Sequence, residues 1–229
     1  MTARRTALLP LMAGLLAGCL VGCAEVEPLA ARAAGSSPAR VPSPSDRTAV
    51  VPSPSRAAPD EPRRAFLTIS AIGVRDIPVV RYRGSPDDAR GTRIQNRGPA
   101  ASPRGPGGGV GPGEVGNFLV TGHRTSHDAP FHDLPAVRQG DHLLVRQAGT
   151  VYDYLVTGAL RISFRSTASK ALQSAPVPGR PGEVATRPMI TLSTCATPED
   201  HAAGNYWSDE LHNPEHRIDK IGVLVARVG

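Results

Sequence analysis

The fold is constrained most by a series of short runs rich in valine, isoleucine, leucine and threonine, each followed within four residues by glycine, proline or a charged residue. Such runs are typical of strands, because they are too short for ordinary helices and end at turn-forming residues. The runs cover residues 66–71, 77–81, 117–121, 142–147, 151–157, 159–164, 189–194 and 220–227. Helical signals are brief and lie near residues 130–137 and 167–174. We therefore predict an all-β barrel or sandwich of about eight strands with one or two short helices.

These runs lie within residues 65–229, a stretch of ordinary length for one domain. Only 4% of the residues in the chain are aromatic, so the core of this domain must rest on valine, leucine and isoleucine. Residues 98–116 contain the sequence Pro-Arg-Gly-Pro-Gly-Gly-Gly, which predicts a mobile loop ahead of the run at 117–121.

Residues 25–64 have a different composition, dominated by proline, alanine, serine and arginine with almost no large apolar side chain. Such a segment cannot bury enough surface to fold, which predicts a disordered linker. The Pro-Ser-Pro-Ser repeats at Pro42 and Pro52 favour an extended, semi-rigid spacer. A spacer of this kind holds a domain away from a membrane and fits a cell-wall neighbourhood.

Residues 1–24 predict an export signal, because Arg4 and Arg5 precede an apolar run. Two tetrapeptides within it, ending at Cys19 and at Cys23, resemble the lipobox of bacterial lipoproteins, in which the cysteine carries the lipid. Cys19 and Cys23 are therefore candidates for lipidation. An uncleaved signal anchor is the alternative, since the apolar run is close to the length of a membrane span. Either arrangement tethers the folded part to the outer face of the cytoplasmic membrane.

The formal net charge of the chain is +6, which raises the question of nucleic-acid binding. The arginines are scattered through the linker and the loops, without a recognition helix or a stacking motif. Attraction to an anionic cell envelope explains the charge more simply, and we expect no nucleic-acid partner.

Cys195 is the candidate nucleophile. It is the only cysteine outside the leader, so a disulfide framework is excluded. It ends the β-type run at 189–194 and precedes a turn-forming Thr-Pro-Glu-Asp segment. The alternative is an inert core cysteine, since free cysteines are often buried. Outside the cytoplasm an unpaired thiol is an oxidation hazard, which favours a reactive role.

His123 and Arg217 are the candidate partners of this thiol. His123 follows the run at 117–121, so it stands at a strand end as Cys195 does. An imidazole there raises the thiolate fraction or delivers a proton to a leaving amine. Arg217 precedes the last apolar run, and in an antiparallel pair that start lies beside the end of the preceding strand. Arg217 can therefore reach Cys195 and supply donors for an oxyanion. The simpler interpretation of His123 is a histidine in a surface loop, and that of Arg217 is an exposed arginine in a salt-bridged turn. Arg227 is a competing candidate for the role of Arg217.

Two clusters of histidine or acidic residues are candidate metal sites. The candidate zinc ligands are His123, His127 and His132, with Asp128 and Asp133 between them. Their spacing places no pair on one helical face, and Pro130 interrupts them, so we expect no metal. The candidate calcium ligands are Asp87, Asp88 and Glu114, which we expect to be solvated loop carboxylates. No cofactor is expected.

Two segments carry a resemblance to a known family. Thr-Leu-Ser-Thr-Cys at residues 191–195 resembles the TLxTC signature of sortases, the membrane-tethered cysteine transpeptidases of Gram-positive bacteria. Val-Thr-Gly-His-Arg-Thr at 120–125, followed by Ala-Pro-Phe at 129–131, is similar to the histidine segment of class E sortases of actinobacteria. The resemblance implies a closed, eight-stranded β-barrel over most of residues 66–228.

The resemblance also implies a reaction. Cys195 attacks the carbonyl between Thr and Gly of an LAxTG-like or LPxTG-like sorting signal and forms a thioester. His123 serves as general acid and base, Arg217 steadies the carbonyl and the oxyanion, and Thr194 contacts the peptide. The implied partners are surface proteins with C-terminal sorting signals and an amine of a peptidoglycan precursor. The segment 196–216 is then an enlarged loop beside the site.

Three other functions are compatible with an exported domain that has a single cysteine. In papain-like peptidases the cysteine precedes the histidine, whereas here the histidine comes first. L,D-transpeptidases have histidine and glycine directly before the cysteine, where this chain has Ser193 and Thr194. A non-catalytic envelope lipoprotein with a β-barrel binding domain is the remaining alternative, and it predicts an inert Cys195.

Overall fold

In a computed structural model, which describes residues 64–229, the chain folds into a closed barrel with the strand order β1-β2-β3-β4-β7-β8-β6-β5. The strands are β1 (Ala65–Ile69), β2 (Val74–Arg83), β3 (Ala100–Arg104), β4 (Gly116–Thr121), β5 (His142–Gln147), β6 (Thr150–Ser163), β7 (Pro188–Cys195) and β8 (His216–Val228). The predicted all-β barrel is confirmed. The leader, Cys19, Cys23 and nearly all of the linker lie outside the described residues.

The core fills the barrel with aliphatic side chains and a few rings. Along β1 burial alternates with every second residue, as expected for a strand with one face toward a core. Every residue of β4 is buried, and β7 is buried from Met189 to Thr194. These two strands pair in parallel, an arrangement that commonly has both faces covered. They are therefore the best-anchored strands of the barrel.

The strand predictions fail at two places. The runs at 151–157 and 159–164 are one continuous strand, β6, because a register shift beside Gly158 absorbs the apparent break. The loop predicted for 98–116 is wrong for Ala100–Arg104, which forms β3 and pairs in parallel with β2. Pro103 and the surrounding glycines hide this strand from pattern analysis.

Three short helices lie outside the barrel. The helix predicted near 167–174 is α2 (Thr167–Ser174), capped by the Ser166 side chain. The other two, α1 (Ala89–Gln95) and α3 (Thr197–Ala202), were not predicted. The helical signal at 130–137 is a 3-10 turn, Leu134–Ala136, since Pro135 lacks the amide proton that a longer helix needs. None of the helices within residues 64–229 has the length and hydropathy to cross a bilayer.

Strand pairing brings three chain segments to one rim of the barrel. In the parallel pair of β4 and β7, Thr121 lies opposite Ser193, so residues that follow each strand emerge side by side. In the antiparallel pair of β7 and β8, Cys195 lies directly opposite Arg217. The barrel thus fixes His123, Cys195 and Arg217 at one end.

Candidate active site

Cys195 is the last residue of β7 and is partly exposed. Its Sγ accepts a hydrogen bond from Arg217 Nη1 at 2.8 Å. Burial raises the pKa of the Cys195 thiol, whereas the adjacent Arg217 favours the thiolate and opposes that shift. The thiol therefore faces a fixed cation while its chain neighbours are packed in the core.

Arg217 is buried, with 1% of its surface exposed. Its Nε donates to Asp87 Oδ2 at 3.0 Å, and its Nη2 donates to Asn213 Oδ1 at 2.7 Å. The guanidinium lies over the ring of Phe164, 4.3 Å from the ring centroid. Nε, Nη2 and one face of the group thus have partners, and Nη1 is directed at the thiol. The competing Arg227 lies over Tyr152 near the other end of β8 and is not at this site.

His123 follows β4 by two residues and is half-buried. Its Nε2 donates to Asn96 Oδ1 at 2.7 Å, and its ring stacks on His127 with the centroids 4.8 Å apart. Burial lowers the pKa of His123, His127 and Arg217 lower it further, and Asp87 acts in the opposite direction. The ring is therefore predominantly neutral at neutral pH. Asn96, which caps α1, holds it in place.

Gly122 allows this segment to pack closely. A Cβ atom at position 122 would lie 2.7 Å from the Phe131 ring. The backbone folds back here, because the Phe131 amide donates to the His123 carbonyl at 3.1 Å. The Gly-His pair thus places His123 at the rim and buries Phe131 behind it.

A cavity of about 400 Å³, here called the Phe164 cavity, opens beside Arg217. Both Asp87 and Phe164, which contact the guanidinium, line it. The remaining lining residues are Ser85, Pro86, Gly107, Lys170, Gln173, Ser174 and Asp209. The arrangement joins a thiol, a neutral imidazole, a buried arginine and an adjacent groove, which suits acyl transfer.

Comparison with known proteins agrees with this chemistry. A family model described as the sortase domain matches residues 67–207 of the chain. The chain belongs to the sortase family. Sortases are cysteine transpeptidases, and Cys195 is the one cysteine among the described residues.

Several of the similar proteins are class E sortases. Sortase SrtE1 of Streptomyces coelicolor is 33% identical over 86 residues, which are 38% of this chain and 23% of that protein's length. Sortase E from Streptomyces avermitilis has a TM-score of 0.52 at 24% identity, covering 72% of this chain and 90% of that one. The structure of sortase E1 from S. coelicolor, with a tripeptide in its active site, gives 0.51 at 23% identity, covering 72% and 89%. The chain therefore shares the sortase barrel with these enzymes, and over the 86 matched residues its sequence is class E-like.

Thr194 links two segments of the site. Its side chain is buried, and its hydroxyl donates to the Gly122 carbonyl at 2.8 Å. It thereby ties the end of β7 to the histidine segment of the sortase domain. The contact with a peptide that the resemblance implies for Thr194 stays a prediction.

The candidate metal ligands have other partners in this sortase. Among residues 64–229, no group of three or more His, Cys, Asp or Glu side chains is arranged to hold a metal ion. His123 and His127 stack on each other, and His132 contacts Asp133 at 2.8 Å. The expectation of a solvated carboxylate is wrong for Asp87, which is buried against Arg217. Asp88 caps α1, and Glu114 accepts from the Gly111 amide.

Four side chains that organise the site were not predicted from the sequence: Asp87, Asn213, Asn96 and Arg124. Asn96 lacked any motif that would link it to His123. Arg124 stands in the histidine segment, so its position was a usable signal. Its Nη1 donates to the Cys195 carbonyl at 3.3 Å, and its guanidinium makes a bidentate pair with Glu199 in α3. Arg124 therefore joins the histidine segment to the strand that carries Cys195.

Proposed function

We propose that this sortase cleaves surface proteins between Thr and Gly of an LAxTG-type or LPxTG-type sorting signal and transfers them to an amine of a peptidoglycan precursor. The proposal rests above all on one observation, the 2.8 Å contact between Arg217 Nη1 and Cys195 Sγ. Nε and Nη2 of the guanidinium are already bonded to Asp87 and Asn213, so Nη1 is the nitrogen that we expect to meet an acyl carbonyl beside the thiol.

In the first half-reaction the Cys195 thiolate attacks the Thr carbonyl carbon. The oxygen becomes an oxyanion and accepts hydrogen bonds from Arg217, which costs little reorganisation because the guanidinium is held in advance. His123, as the imidazolium, gives its proton to the departing Gly nitrogen. The C–N bond breaks, and the acyl group remains on Cys195 as a thioester.

In the second half-reaction an amine attacks the thioester carbonyl. His123 accepts a proton from the attacking nitrogen, and the C–S bond breaks to return the thiolate. Because Nε2 of His123 donates to Asn96, we assign both proton transfers to Nδ1. The surface protein then carries a new amide bond to the wall precursor.

The Phe164 cavity is the proposed binding place of the sorting peptide. It lies against the guanidinium and offers the Phe164 ring together with polar side chains such as Gln173 and Ser174. Pockets with apolar walls and a few polar groups are typical of peptide and small-ligand sites. A peptide lying there presents its scissile carbonyl to Arg217 and Cys195.

The proposed location is the extracytoplasmic face of the cell membrane. The partners named above, sorting-signal proteins and wall precursors, are found there. The apolar leader with Cys19 or Cys23 supplies the tether, by lipidation or as an uncleaved anchor, and residues 25–64 supply the spacer.

The test is turnover of fluorogenic peptides containing LAxTG or LPxTG cores. Wild-type protein is expected to cleave at least one of the two, at a rate that rises when a wall-precursor amine is added and diverts the product to the transfer adduct. Cys195→Ala is expected to show no turnover. Failure of the wild type on both peptides, or equal turnover by Cys195→Ala, would favour a non-catalytic barrel or another class of cysteine peptidase.

A further inference from the structure

Asp87 is a buried acid with no assigned part in the reaction. It lies between β2 and α1, with 7% of its surface exposed. Its backbone adopts a φ of 54°, in the left-handed region that residues other than glycine rarely occupy. A strained backbone persists only where the surrounding structure holds it, and such positions cluster at functional sites.

Both carboxylate oxygens of Asp87 are used. Oδ2 accepts from Arg217 Nε at 3.0 Å, and Oδ1 accepts from Gln95 Nε2 at 2.9 Å. The same Gln95 nitrogen donates to Thr121 Oγ1 at 3.0 Å, and Thr121 ends β4 just before the Gly-His pair. One carboxylate therefore connects the arginine to the strand that carries the histidine.

Asn213 completes the support of the guanidinium. Its Oδ1 accepts from Arg217 Nη2 at 2.7 Å, and its Nδ2 faces the Asp87 carbonyl oxygen at 3.4 Å. Asp87 and Asn213 thus bond Nε and Nη2, the two guanidinium nitrogens that do not bond Cys195. A flexible arginine side chain would otherwise have to be ordered during each turnover.

We propose that Asp87 is a positioning residue, which fixes the guanidinium of Arg217 so that Nη1 faces the reacting carbonyl and the thiol. The role deepens the proposed function and rests on it. Asp87 does not touch the substrate atoms that react, and it acts through Arg217.

A second consequence is electrostatic. The charged groups that act on Cys195 are Arg217 in β8, Asp87, and Arg124 in the segment after β4. Arg217 and Arg124 favour the thiolate, whereas the negative charge of Asp87 disfavours it and so contributes to the raised pKa of Cys195. Asp87 therefore orients Arg217 and at the same time makes the Cys195 thiol less acidic.

Substitution separates these two effects. Asp87→Asn keeps an acceptor for Arg217 Nε, tolerates the left-handed backbone and removes the charge. Asp87→Ala removes both the acceptor and the charge. Asp88→Asn is the matched control, because it is the same change one residue away, and asparagine still caps α1.

The experiment uses the full-length chain and two readouts. The first is the pH midpoint of alkylation of Cys195, followed by mass spectrometry of its own peptide so that Cys19 and Cys23 do not interfere. The second is kcat and KM for the cleaved sorting peptide. Thermal unfolding followed by circular dichroism establishes that each variant is folded.

We expect Asp87→Asn to lower the alkylation midpoint by about one pH unit, since a negative charge beside the thiolate is lost. Asp87→Ala is expected to reduce kcat/KM about a hundredfold, mostly in kcat, with Asp87→Asn retaining more activity than Asp87→Ala. The proposal is overturned if Asp87→Asn has the midpoint of Asp88→Asn, or if Asp87→Ala turns over peptide as fast as that control. The alkylation readout needs no substrate, so failure of the proposed function would be recognised separately, as absence of turnover in the wild type.

Discussion

At the scale of single residues, the site is characterised by opposite pKa shifts of the Cys195 thiol and the His123 imidazole. Burial raises the pKa of Cys195 and lowers the pKa of His123. Between the two pKa values the thiol and the imidazole are both neutral, and the reactive thiolate–imidazolium pair is a minor form. Arg217 is the group that makes the thiolate accessible at all, because its charge acts directly on the sulfur.

The pH dependence of turnover follows from these shifts. We expect kcat/KM for peptide cleavage to follow a bell whose acid limb lies below the ordinary pKa of histidine and whose alkaline limb lies above that of cysteine. The bell is therefore broader than an unperturbed Cys–His pair would give. Rate measurements from acid to alkaline pH check this, and a bell narrower than that of the unperturbed pair would contradict the assignment.

Arg217→Lys tests whether charge alone is sufficient. Lysine keeps the charge, but it cannot bond Asp87 and Asn213 while also directing a donor at the carbonyl. We expect kcat to fall by about 10²–10³ with a smaller change in KM, as when an oxyanion donor is removed. Arg227→Lys, at the far end of β8, is the control and should remain near wild type in steady-state kinetics. Equal activity of the two variants would remove Arg217 from the mechanism.

At the scale of secondary-structure elements, Arg124 is one of the side chains that hold α3 against the site, together with Arg161 and His216, which contact Asp200. The Nη1 and Nη2 atoms of Arg124 donate to the Glu199 carboxylate. Its Nε donates to the His132 carbonyl, and its Nη1 also donates to the Cys195 carbonyl. The Arg124 side chain is only 11% exposed, which strengthens such a pair relative to surface ion pairs. A helix of this length depends on contacts of this kind, because it is not stable in isolation.

Glu199→Gln is therefore expected to loosen α3. The predicted loss is about 1 kcal/mol of unfolding free energy, with faster amide exchange in Thr197–Ala202. Glu183→Gln, which breaks an exposed pair with Arg180, is the matched control and should change neither. Thermal unfolding and hydrogen exchange by mass spectrometry measure both quantities. Unchanged exchange in α3 would show that Arg124 does not hold the helix.

The elements that the sequence predicted are those whose signal is local. Apolar runs mark β4 and β7, so the strand ends that carry His123 and Cys195 were visible, and antiparallel pairing then placed Arg217. β3 was hidden because Pro103 and the glycines around it carry turn signals. α3 was hidden because its contacts come from side chains elsewhere in the sequence, Arg124 and Arg161 among them. Asp87 was taken for a loop acid, since its partner Arg217 is 130 positions further along the chain.

At the scale of the whole molecule, closing the barrel buries polar groups that then respond to pH. Asp219 is fully buried in β8. Gln173 of α2 donates to both of its carboxylate oxygens and to Ser193 Oγ. Burial raises the pKa of Asp219 to about 7. This cluster fastens α2, which lines the Phe164 cavity, to the barrel wall.

The stability of the fold should therefore depend on Asp219. Because its folded pKa lies above its unfolded value, the stabilisation is present at low pH and is lost as the pH rises through about 7. We expect the wild type to lose about 2 to 3 kcal/mol from this group between pH 5 and pH 8. Denaturant unfolding at both pH values measures it, with Asp219→Asn as the variant that lacks the titration. A pH dependence identical in Asp219→Asn and wild type would exclude this source.

The central claim is that Cys195 is the nucleophile of a peptide transfer. The most direct test is intact-mass measurement of the full-length protein after incubation with an LAxTG or LPxTG peptide in the absence of an acceptor amine. The wild type is expected to gain the mass of the peptide up to its Thr residue, with the adduct located on Cys195 and released by an added amine or by hydroxylamine. Absence of any adduct on the wild type, or an adduct of the same mass on Cys195→Ala, would contradict the account.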